Sequence, residues 1–556
     1  MHIPIGKITL TAIAAGTLVF AASPLTPVPN GNPKSPGFAA PNILSPELKE
    51  SPVAQGSTKL ENPSPLTSSY GYDDNGPMLP LPGDVQSTAH NVEANKTEPD
   101  KNTYLILQGL HGADPNYNYG THFLFQGHEN GQKDAAGDAQ GYITRINLDA
   151  DGPHRVTLLA IADSLGNHLP AIDGSTWYPW AQRLLFTCEN GAKGGVWQVT
   201  PDHPSITDDL SGAFGRGGYE GIQADPQGNL IVIEDVGGPS GAANPHAKQP
   251  NSFVYRFQPK DPANLQRGGR LQVLQVMSKA HPGAIVFHAG DPDGDIKSQD
   301  MKDLHTYGLV FKTNWITIHD TDVQGNIPFS ANALAKAAGG TPFKRPENGQ
   351  FRPGSHFQEF FFDETGDTNA LTEAGADFGG FGAIQKLTLK SNSNDGTLTL
   401  FFKGDVQHTG FDNVAFWSKD EIVFVEDGGD GLHAQRNALD SAFLFDVRAN
   451  YGDPSTPPPA RILAQGRDAS ATLDSALGSV PGSGFQNDGD NEITGWHLSD
   501  GDPTPNGLLG AKNPNPFKAG WRLFYTGQHG DNVTWEITPV DKHGDKQGDD
   551  DQGKDN

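Results

Sequence analysis

The chain has almost no cysteine and far too little positive charge to balance its acids. Cys188 is the single cysteine among 556 residues, so an internal disulfide is excluded. Lysine and arginine number 39 against 66 aspartates and glutamates, which gives a formal net charge of −27. This charge repels nucleic acid and anionic membrane surfaces, which argues against both as partners. It suits a protein that binds several cations.

Long apolar runs are also lacking, apart from one at the N-terminus. Lys7 precedes 15 mainly apolar residues from Ile8 to Ala22, fewer than the ~20 that cross a bilayer. The layout is typical of a signal peptide over residues 1–21, and no twin arginine or lipid-bearing cysteine flanks it. We therefore expect a periplasmic or secreted protein with no stable membrane span.

The remaining chain divides by composition into three parts. Residues 22–100 hold 14 of the 43 prolines and few aromatic residues, so they predict a Pro/Ser/Asn-rich linker or wrapping segment. Residues 541–556 are almost wholly polar and predict a solvated acidic tail. Residues 101–540 are long enough for one large domain.

Sustained helical periodicity is missing from residues 101–540, except at Ser330–Ala337. With 68 glycines and short runs of Val, Ile, Leu and Phe, the sequence predicts many short strands joined by turns, an all-β fold. A loose unit recurs six times, in which an apolar strand ends in Glu or Asp and a glycine-rich turn leads to another strand. Six units predict a six-bladed β-propeller, with the least regular spacing near residues 258–340.

Acidic residues recur at the strand ends of these units, where a propeller brings its blades together around a channel. They are Glu129, Glu189, Glu220, Glu347 and the pairs Glu234–Asp235 and Glu426–Asp427. Like charges that converge raise one another's pKa unless cations neutralise them. The pattern therefore predicts bound metal in the channel.

Several short motifs resemble those of the PhoX-type bacterial alkaline phosphatases and their uncharacterised exported relatives. The motifs follow the family's order and span most of the predicted domain: Gly127–Glu129, Phe186–Asn190, Gly218–Gly221, Ile233–Asp235, Phe343–Glu347 and Gly527–Gly530. The resemblance implies a six-bladed propeller with iron(III) and calcium in its channel. It also implies a monomeric exported enzyme that hydrolyses small phosphate monoesters.

The resemblance also implies a role for individual residues. Iron would be bound by Cys188, Glu129, Glu220 and Glu347, and calcium by Glu189, Glu234, Asp235, Glu426 and Asp427. Arg345 would bind a phosphate oxygen through its planar guanidinium. His128 and His529 would donate protons or orient the metal ligands.

Two other functions fit the same pattern less completely. Exported propellers also include calcium-dependent sugar dehydrogenases and lactonases, but neither activity explains a thiol at the channel. A non-enzymatic calcium-binding surface protein would explain the Asp-rich turns Asp149–Gly152, Asp291–Asp295 and Asn487–Glu492. None of these turns completes the spacing of an EF-hand loop.

Overall fold

A computed structural model describes residues 25–29, 42–78, 93–129, 137, 139–189, 191–391, 393–466, 492–528 and 532–540. The predicted signal peptide and acidic tail lie outside these ranges. Among the described residues, no helix is both long enough and apolar enough to cross a membrane.

Short strands dominate the described chain. In order they are β1 (Ile43–Leu44), β2 (Leu48–Ala54), β3 (Tyr72–Met78), β4 (Glu93–Lys96), β5 (Thr103–Ile106), β6 (His122–His128), β7 (Tyr142–Asn147), β8 (Val156–Ala160), β9 (Ser175–Tyr178), β10 (Arg183–Cys188), β11 (Gly195–Val199), β12 (Thr207–Asp209), β13 (Tyr219–Ala224) and β14 (Leu230–Glu234). They continue with β15 (Val254–Pro259), β16 (Gly269–Val276), β17 (Val310–Asp320), β18 (Gly349–Phe351), β19 (Glu359–Glu364), β20 (Ala383–Leu389), β21 (Asp395–Lys403), β22 (Phe411–Ser418), β23 (Glu421–Glu426), β24 (Ser441–Asp446), β25 (Ala460–Ala464), β26 (Glu492–Ser499), β27 (Arg522–Gln528) and β28 (Val533–Pro539).

Helices are few and short. They are α1 (Ser211–Phe214), α2 (Pro292–Ile296), α3 (Gln299–Leu304), α4 (Thr321–Gln324), α5 (Ala331–Ala337) and α6 (Gly429–Arg436), with 3-10 turns at Gly152–His154, Leu265–Arg267, Ala376–Phe378 and Pro505–Gly507. The alanine-rich segment forms α5 as predicted, and the Ser330 side chain caps its N-terminus by accepting from the backbone N–H of Ala333.

The strands form antiparallel meanders in which chain neighbours pair. β5 to β8 form one four-stranded sheet and β9 to β12 another. β22 to β25 and β26 to β28 form two more, and a separate hairpin joins β3 to β4. The all-β prediction is confirmed, and the arrangement is propeller-like.

The irregular stretch near residues 258–340 joins two meanders into one nine-stranded sheet. The long strand β17 pairs with β16 on one side and with β21 on the other, which links β13–β16 to β18–β21. The two ends of this sheet also meet, because the backbone N–H of Gly221 donates to the carbonyl of Glu347 at 2.8 Å. The sheet is therefore almost closed.

Two strands from the proline-rich segment extend the last two meanders. β1 pairs with β25, and β2 pairs with β28 along most of its length. β2 lies at the edge of its sheet, where Pro52 is tolerated because no further strand requires its missing N–H. Part of residues 22–100 thus contributes strands to the folded domain.

Apolar layers fill the spaces between adjacent sheets. One layer packs Phe123 and Phe125 of β6 against Leu184 and Phe186 of β10, and similar layers lie between the other meanders. Alternation along each strand places such residues on a single face, so burial of both faces requires a neighbouring sheet on each side. This packing holds the meanders around a common axis.

The first strand of each meander lies next to the first strand of the following one. We call these six the ring strands: β5, β9, β13, β18, β22 and β26. Each contacts the next, and β26 contacts β5, so they close a ring. Because the second strand of each meander runs antiparallel to the first, its end lies beside the start of the ring strand. In each of the six meanders, the start of the ring strand and the end of the second strand therefore lie at the same end of the ring.

Candidate metal centre

Every ring strand has an acidic residue at its start. Asp100, Asp173 and Glu347 lie just before β5, β9 and β18, whereas Glu220, Asp412 and Glu492 are among the first residues of β13, β22 and β26. All six residues are buried, with at most 8% of their surface exposed. The fold thus gathers six buried acids from positions far apart in the sequence.

The ends of the second strands supply a further set of polar side chains. They are Glu129, Glu189, Asp235, Asp363, Asp427 and Gln528. The backbone fixes their position beside the first set: Asp100 N–H donates to Gly127 O at 3.0 Å, and Asp173 N–H donates to Thr187 O at 3.1 Å. Gln528 is the exception, because an amide stands where the other five meanders have a carboxylate.

Among the described residues, three groups of carboxylates are close enough to bind cations. Asp100, Glu129 and Asp173 form the first; Asp173, Glu189 and Glu220 the second; Glu220, Glu347 and Asp412 the third. Within each group, one oxygen from every residue lies within 4.8 Å of the others. Asp173 and Glu220 are each shared by two groups, so the three form a continuous chain. We call these seven residues the carboxylate centre.

Neutral amides bridge the carboxylates. The Asn348 side-chain amide donates to Glu220 Oε1 at 2.8 Å and to Asp412 Oδ1 at 3.3 Å. The Gln528 amide donates to Glu129 Oε1 at 2.6 Å and to Asp100 Oδ2 at 3.2 Å. These donors orient the carboxylates without cancelling their charge.

The protein supplies few cations at this end of the ring. Lys101 is buried among the acids, and its Nζ donates to Asn413 Oδ1 at 2.7 Å rather than to a carboxylate. Burial lowers the pKa of Lys101, although Asp412 and Asp100 oppose this shift. This ammonium group and the guanidinium of Arg345, which contacts Glu347, are too few to neutralise seven carboxylates.

Burial and mutual repulsion raise the pKa values of most of these carboxyl groups. Burial raises the pKa of Asp100 to about 7 and repulsion from Asp412 adds to the shift, while burial and Asp235 raise the pKa of Glu189 to about 8. Burial and neighbouring acids also raise the pKa values of Asp173, Glu220 and Glu347 well above their ordinary range. Without cations, several of these groups would hold protons at neutral pH.

Two buried oxygen atoms support metal binding independently of charge. Asp173 Oδ1 and Asp412 Oδ2 have no hydrogen-bond partner. A buried carboxylate oxygen without a partner is costly, and a cation would satisfy it. An all-oxygen set of carboxylates suits hard cations such as calcium, and also ferric iron. The residues therefore fit the metals that the resemblance implies.

Arg345 lies at the mouth of the centre. Its Nε and Nη2 atoms donate to the Asp235 carboxylate at 2.7–3.2 Å, and Nη2 also donates to Glu347 Oε1 at 3.0 Å. Its backbone is in the left-handed region, with φ at 53°. About 19% of the side chain remains exposed, so the guanidinium can still meet a ligand.

A cleft of about 400 Å³ opens at this point, lined by Arg345, Lys248, Asp235 and Glu189. Lys248 had no motif to mark it in the sequence, and the fold brings it beside Arg345 from the β14–β15 loop. The two cations face a site otherwise made of carboxylates. An anion with several oxygens could bind here, bridged between the cations of the chain and metal ions below.

Two predicted calcium ligands lie away from the centre. Glu234 and Glu426 are the last residues of β14 and β23, and alternation turns them to the opposite face from Asp235 and Asp427. Glu234 accepts from Tyr255 OH at 2.9 Å, and Glu426 is paired with Arg436 at 3.1 Å. Protein groups thus contact both oxygens of Glu426 but only Oε2 of Glu234, whose Oε1 has no hydrogen-bond partner among the described residues.

Cys188 and His128 also lie outside the three carboxylate groups. Cys188 is fully buried on the same face of β10 as Phe186, within the apolar layer that packs against β6. The ring nitrogens of His128 lie 3.1 Å from Thr97 Oγ1 and 2.9 Å from Thr144 Oγ1, and burial lowers its pKa to about 3. His529 lies outside the described residues.

Sequence reasoning missed four acids of the ring strands: Asp100, Asp173, Asp412 and Glu492. A weak signal did exist, since Asp173-Gly, Glu220-Gly, Glu347-Asn and Asp412-Asn each place a small or amide residue after the acid and before an apolar strand. Two of the four, Asp412 and Glu492, fell inside predicted strands, where they were not distinguished from ordinary strand residues.

Comparison with known proteins supports the resemblance. The family described as alkaline phosphatase PhoX matches residues 189–441. This segment contains Glu189, Glu220, Asp235, Arg345 and Glu347. The chain is thus similar to the PhoX family, as the motifs predicted. No curated protein sequence matches the chain.

Among solved structures, the chain is similar to Pseudomonas fluorescens PhoX in complex with vanadate, a transition state analogue. The TM-score is 0.51 at 12% identity, over 92% of this chain and 98% of the other. This likeness shows the fold. Acinetobacter baumannii TolB matches with a TM-score of 0.29 at 9% identity, over 73% and 62% of the two chains. Chaetomium thermophilum Sqt1 matches with a TM-score of 0.31 at 12% identity, over 80% and 96%.

Proposed function

We propose, with the similarity to the PhoX alkaline phosphatases as the premise, that the chain is an exported metal-dependent phosphatase that hydrolyses phosphate monoesters. One observation carries the proposal: buried acids of the ring strands gather at one end of the ring, and two of their carboxylate oxygens have no hydrogen-bond partner. A structural ion-pair network would not leave Asp173 Oδ1 and Asp412 Oδ2 without a partner.

Iron(III) and calcium are the metals that we propose for the centre. Glu129, Glu220 and Glu347 stay the iron ligands that the resemblance implies. Cys188 stays their sulfur partner in this proposal although its side chain lies in the apolar layer, so the metal content of Cys188→Ala decides this assignment. Glu189, Asp235 and Asp427 are the calcium ligands that we retain, and Asp100, Asp173 and Asp412 join the set. Bound metals of this kind neutralise a phosphate ester and activate water for attack on phosphorus.

Arg345 binds the substrate in this proposal. Its guanidinium is preorganised by Asp235 and Glu347, and although burial opposes the effect, these carboxylates raise the pKa of Arg345 well above its ordinary value. The side chain therefore stays charged at alkaline pH. Lys248, which also lines the cleft, adds a second positive charge for a non-bridging phosphate oxygen.

We count the nine-stranded sheet as two blades, which gives a six-bladed propeller. The support is its order, two four-stranded meanders with β17 between them. Export rests on the sequence of residues 1–21, which has the layout of a signal peptide.

The test is hydrolysis of an aryl phosphate monoester by protein loaded with iron and calcium. We expect activity at alkaline pH with competitive inhibition by inorganic phosphate. Arg345→Ala should lower the rate roughly a hundredfold or more, because a charged contact to the transition state is lost. Arg448→Ala is the matched control, since Arg448 is 40% exposed and pairs with Asp446 on the surface.

Metal content must be measured on the same samples. Arg345→Ala should retain its metals, whereas Cys188→Ala should lose iron and keep calcium. Full iron content in Cys188→Ala would remove the thiolate from the proposal. A metal-loaded protein that hydrolyses no phosphate ester, but reduces a dye in the presence of a sugar, would replace the phosphatase with a dehydrogenase.

A further inference from the structure

A second cleft, of about 730 Å³, lies between the two meanders that β17 joins. It is bordered by the β13–β14 turn on one side and the β18–β19 and β20–β21 turns on the other. The carboxylate centre lies at the start of β13 and the end of β14. The second cleft is therefore at the opposite end of these strands, and the proposed phosphatase reaction does not use it.

The sheet face that forms one wall changes character along its length. Near the centre it carries Ile233, Val254 and Leu274, which pack in an apolar layer with Phe360 and Phe362. Further along the same strands, Arg256 lies directly opposite Gln272, and Gln258 lies directly opposite Arg270. A face that only packed against its neighbour would stay apolar. Here the part of the sheet face that lies away from the carboxylate centre is polar and lines the cleft.

The cleft is positively charged in a strongly acidic chain. Three cations line it, Arg256, Arg270 and Lys390, against the single carboxylate of Asp225. Arg256 donates to neutral partners, Gln272 Oε1 at 2.8 Å and Asn394 Oδ1 at 2.5 Å. Within the described residues, neither Arg270 nor Lys390 forms an ion pair, although acids outnumber bases in the chain by 66 to 39.

The Asp225 carboxylate does not neutralise these cations directly. It accepts from the Asn229 side chain at 2.8 Å and from the backbone N–H groups of Gln227 and Asn229. Its role is to close the β13–β14 turn. The positive charge of the cleft thus remains available to a ligand.

The opposite wall is built from strained backbone. His356 and Phe357 are consecutive residues with φ values of 53° and 58°. Such values are uncommon for bulky residues and concentrate where a side chain must be held in place for binding. Phe357 packs on Phe351 with 5.0 Å between ring centroids, which fixes its ring at the edge of the cleft.

The lining groups match the chemistry of one class of ligand. Guanidinium and ammonium groups bind carboxylate or other acidic groups, and the amides of Gln258, Gln272 and Asn394 can meet hydroxyls from either side. An aromatic ring at the rim can cover an apolar sugar face. The volume is within the roughly 300–1,000 Å³ of small-molecule sites. We propose that this cleft binds a short acidic oligosaccharide.

Calorimetric titration of the whole protein with trigalacturonate, without added calcium, tests the proposal. We expect saturable binding at one site, and a dissociation constant raised roughly tenfold or more in Arg270→Gln/Lys390→Gln, since two charge-assisted contacts are lost. Arg270 and Lys390 are exposed, and a melting curve checks that the variant folds. Arg267→Gln is the matched control, because Arg267 is 63% exposed, pairs with Asp261 and does not line the cleft.

Two further ligands distinguish binding through the ligand's negative charge from binding through its hydroxyl groups. Maltotriose, which is neutral, should bind at least tenfold more weakly than trigalacturonate because the cations gain nothing from it. Inorganic sulfate should bind more weakly than trigalacturonate, since it meets the cations but not the amides. The proposal is overturned if trigalacturonate does not bind, if it binds equally well to Arg270→Gln/Lys390→Gln, or if sulfate matches it.

Discussion

Two sets of buried carboxylates in this protein are held in opposite ways. Glu364 and Glu426 lie inside their meanders and meet protein partners: His305 Nε2 lies 3.5 Å from Glu364 Oε1, and Arg436 forms two contacts of 3.1 Å with Glu426. Glu220 and Glu347 lie at the ring end and meet mainly other acids. Burial opposes the shift, yet His305 and hydrogen bonds lower the pKa of Glu364, whereas burial and nearby acids raise the pKa of Glu220.

The difference shows which carboxylates require something that the chain does not supply. Each acid of the first set has a basic partner supplied by the chain, His305 for Glu364 and Arg436 for Glu426. The acids of the carboxylate centre come from several meanders, and among the described residues their nearby cations are Lys101, Arg345 and Lys248. Cations that arrive from solution are the remaining way to stabilise them at neutral pH.

Removal of metal should give the largest effect. We expect chelation to abolish phosphatase activity and lower the melting temperature strongly at pH 8, with recovery on added calcium. A carboxyl group whose pKa is raised by folding contributes stability that is lost as pH rises from its unfolded value through its folded value. The chelated protein should therefore lose stability between about pH 4 and the folded values of about 7 for Asp100 and about 8 for Glu189.

The calcium-loaded protein is the control for this pH dependence. Its melting temperature should vary little across the same window, because bound cations keep the carboxylates ionised. If the chelated protein, with metal removal verified, is as stable at pH 8 as at pH 5, ionisation of the carboxylate centre does not destabilise the fold and the prediction is wrong.

Loss of Arg436 should destabilise the other set of carboxylates without affecting metal. Arg436 pairs with both Glu426 and Asp440, and all three side chains are almost fully buried. Arg436→Met should lower the free energy of unfolding by about 3–5 kcal/mol, because it leaves buried charges unpaired. Arg448→Met, at an exposed pair, should cost at most about 1 kcal/mol. In both variants, the amount of metal bound per folded molecule should equal that of the unaltered protein. A metal deficit in Arg436→Met would show that the Arg436 ion pairs also support the carboxylate centre.

Glu234→Gln should have the smallest effect. Three donors converge on its Oε2 atom, and burial raises its pKa to about 7, so about half of these groups are already protonated at neutral pH. We expect a stability change of about 1 kcal/mol or less and unaltered calcium content by elemental analysis. A lost calcium ion in this variant would restore Glu234 as the metal ligand that the resemblance implied.

The sequence predicted the strands well because their signal is local. The apolar runs Ile422–Val425 and Ala442–Phe445 lie between turns, for example, and they form most of β23 and β24. The merger of two meanders through β17 could not be predicted, since it depends on pairing between residues that are distant in the chain, such as Val310 with Thr399. The pairing of β2 with β28 has the same cause, and the proline content of its segment concealed it.

Part of the carboxylate centre could be predicted, for a related physical reason. Glu129, Glu189 and Glu220 stood out because each ends or begins an apolar strand, and Glu347 because of the motif that contains Arg345. The neighbouring pairs Glu234–Asp235 and Glu426–Asp427 could not be resolved, because a shift of one residue exchanges the two faces of a strand. Only the register of β14 and β23 decides which acid faces the centre.

We expect cations to occupy the three groups of the carboxylate centre. A crystal structure of protein loaded with iron and calcium, with anomalous diffraction data collected on both sides of the iron edge, would locate them. We predict anomalous peaks among Asp100, Asp173, Glu220 and Asp412, with iron distinguished by its edge. Peaks confined to surface carboxylates such as Asp149 or Asp291, with the centre empty, would contradict the account.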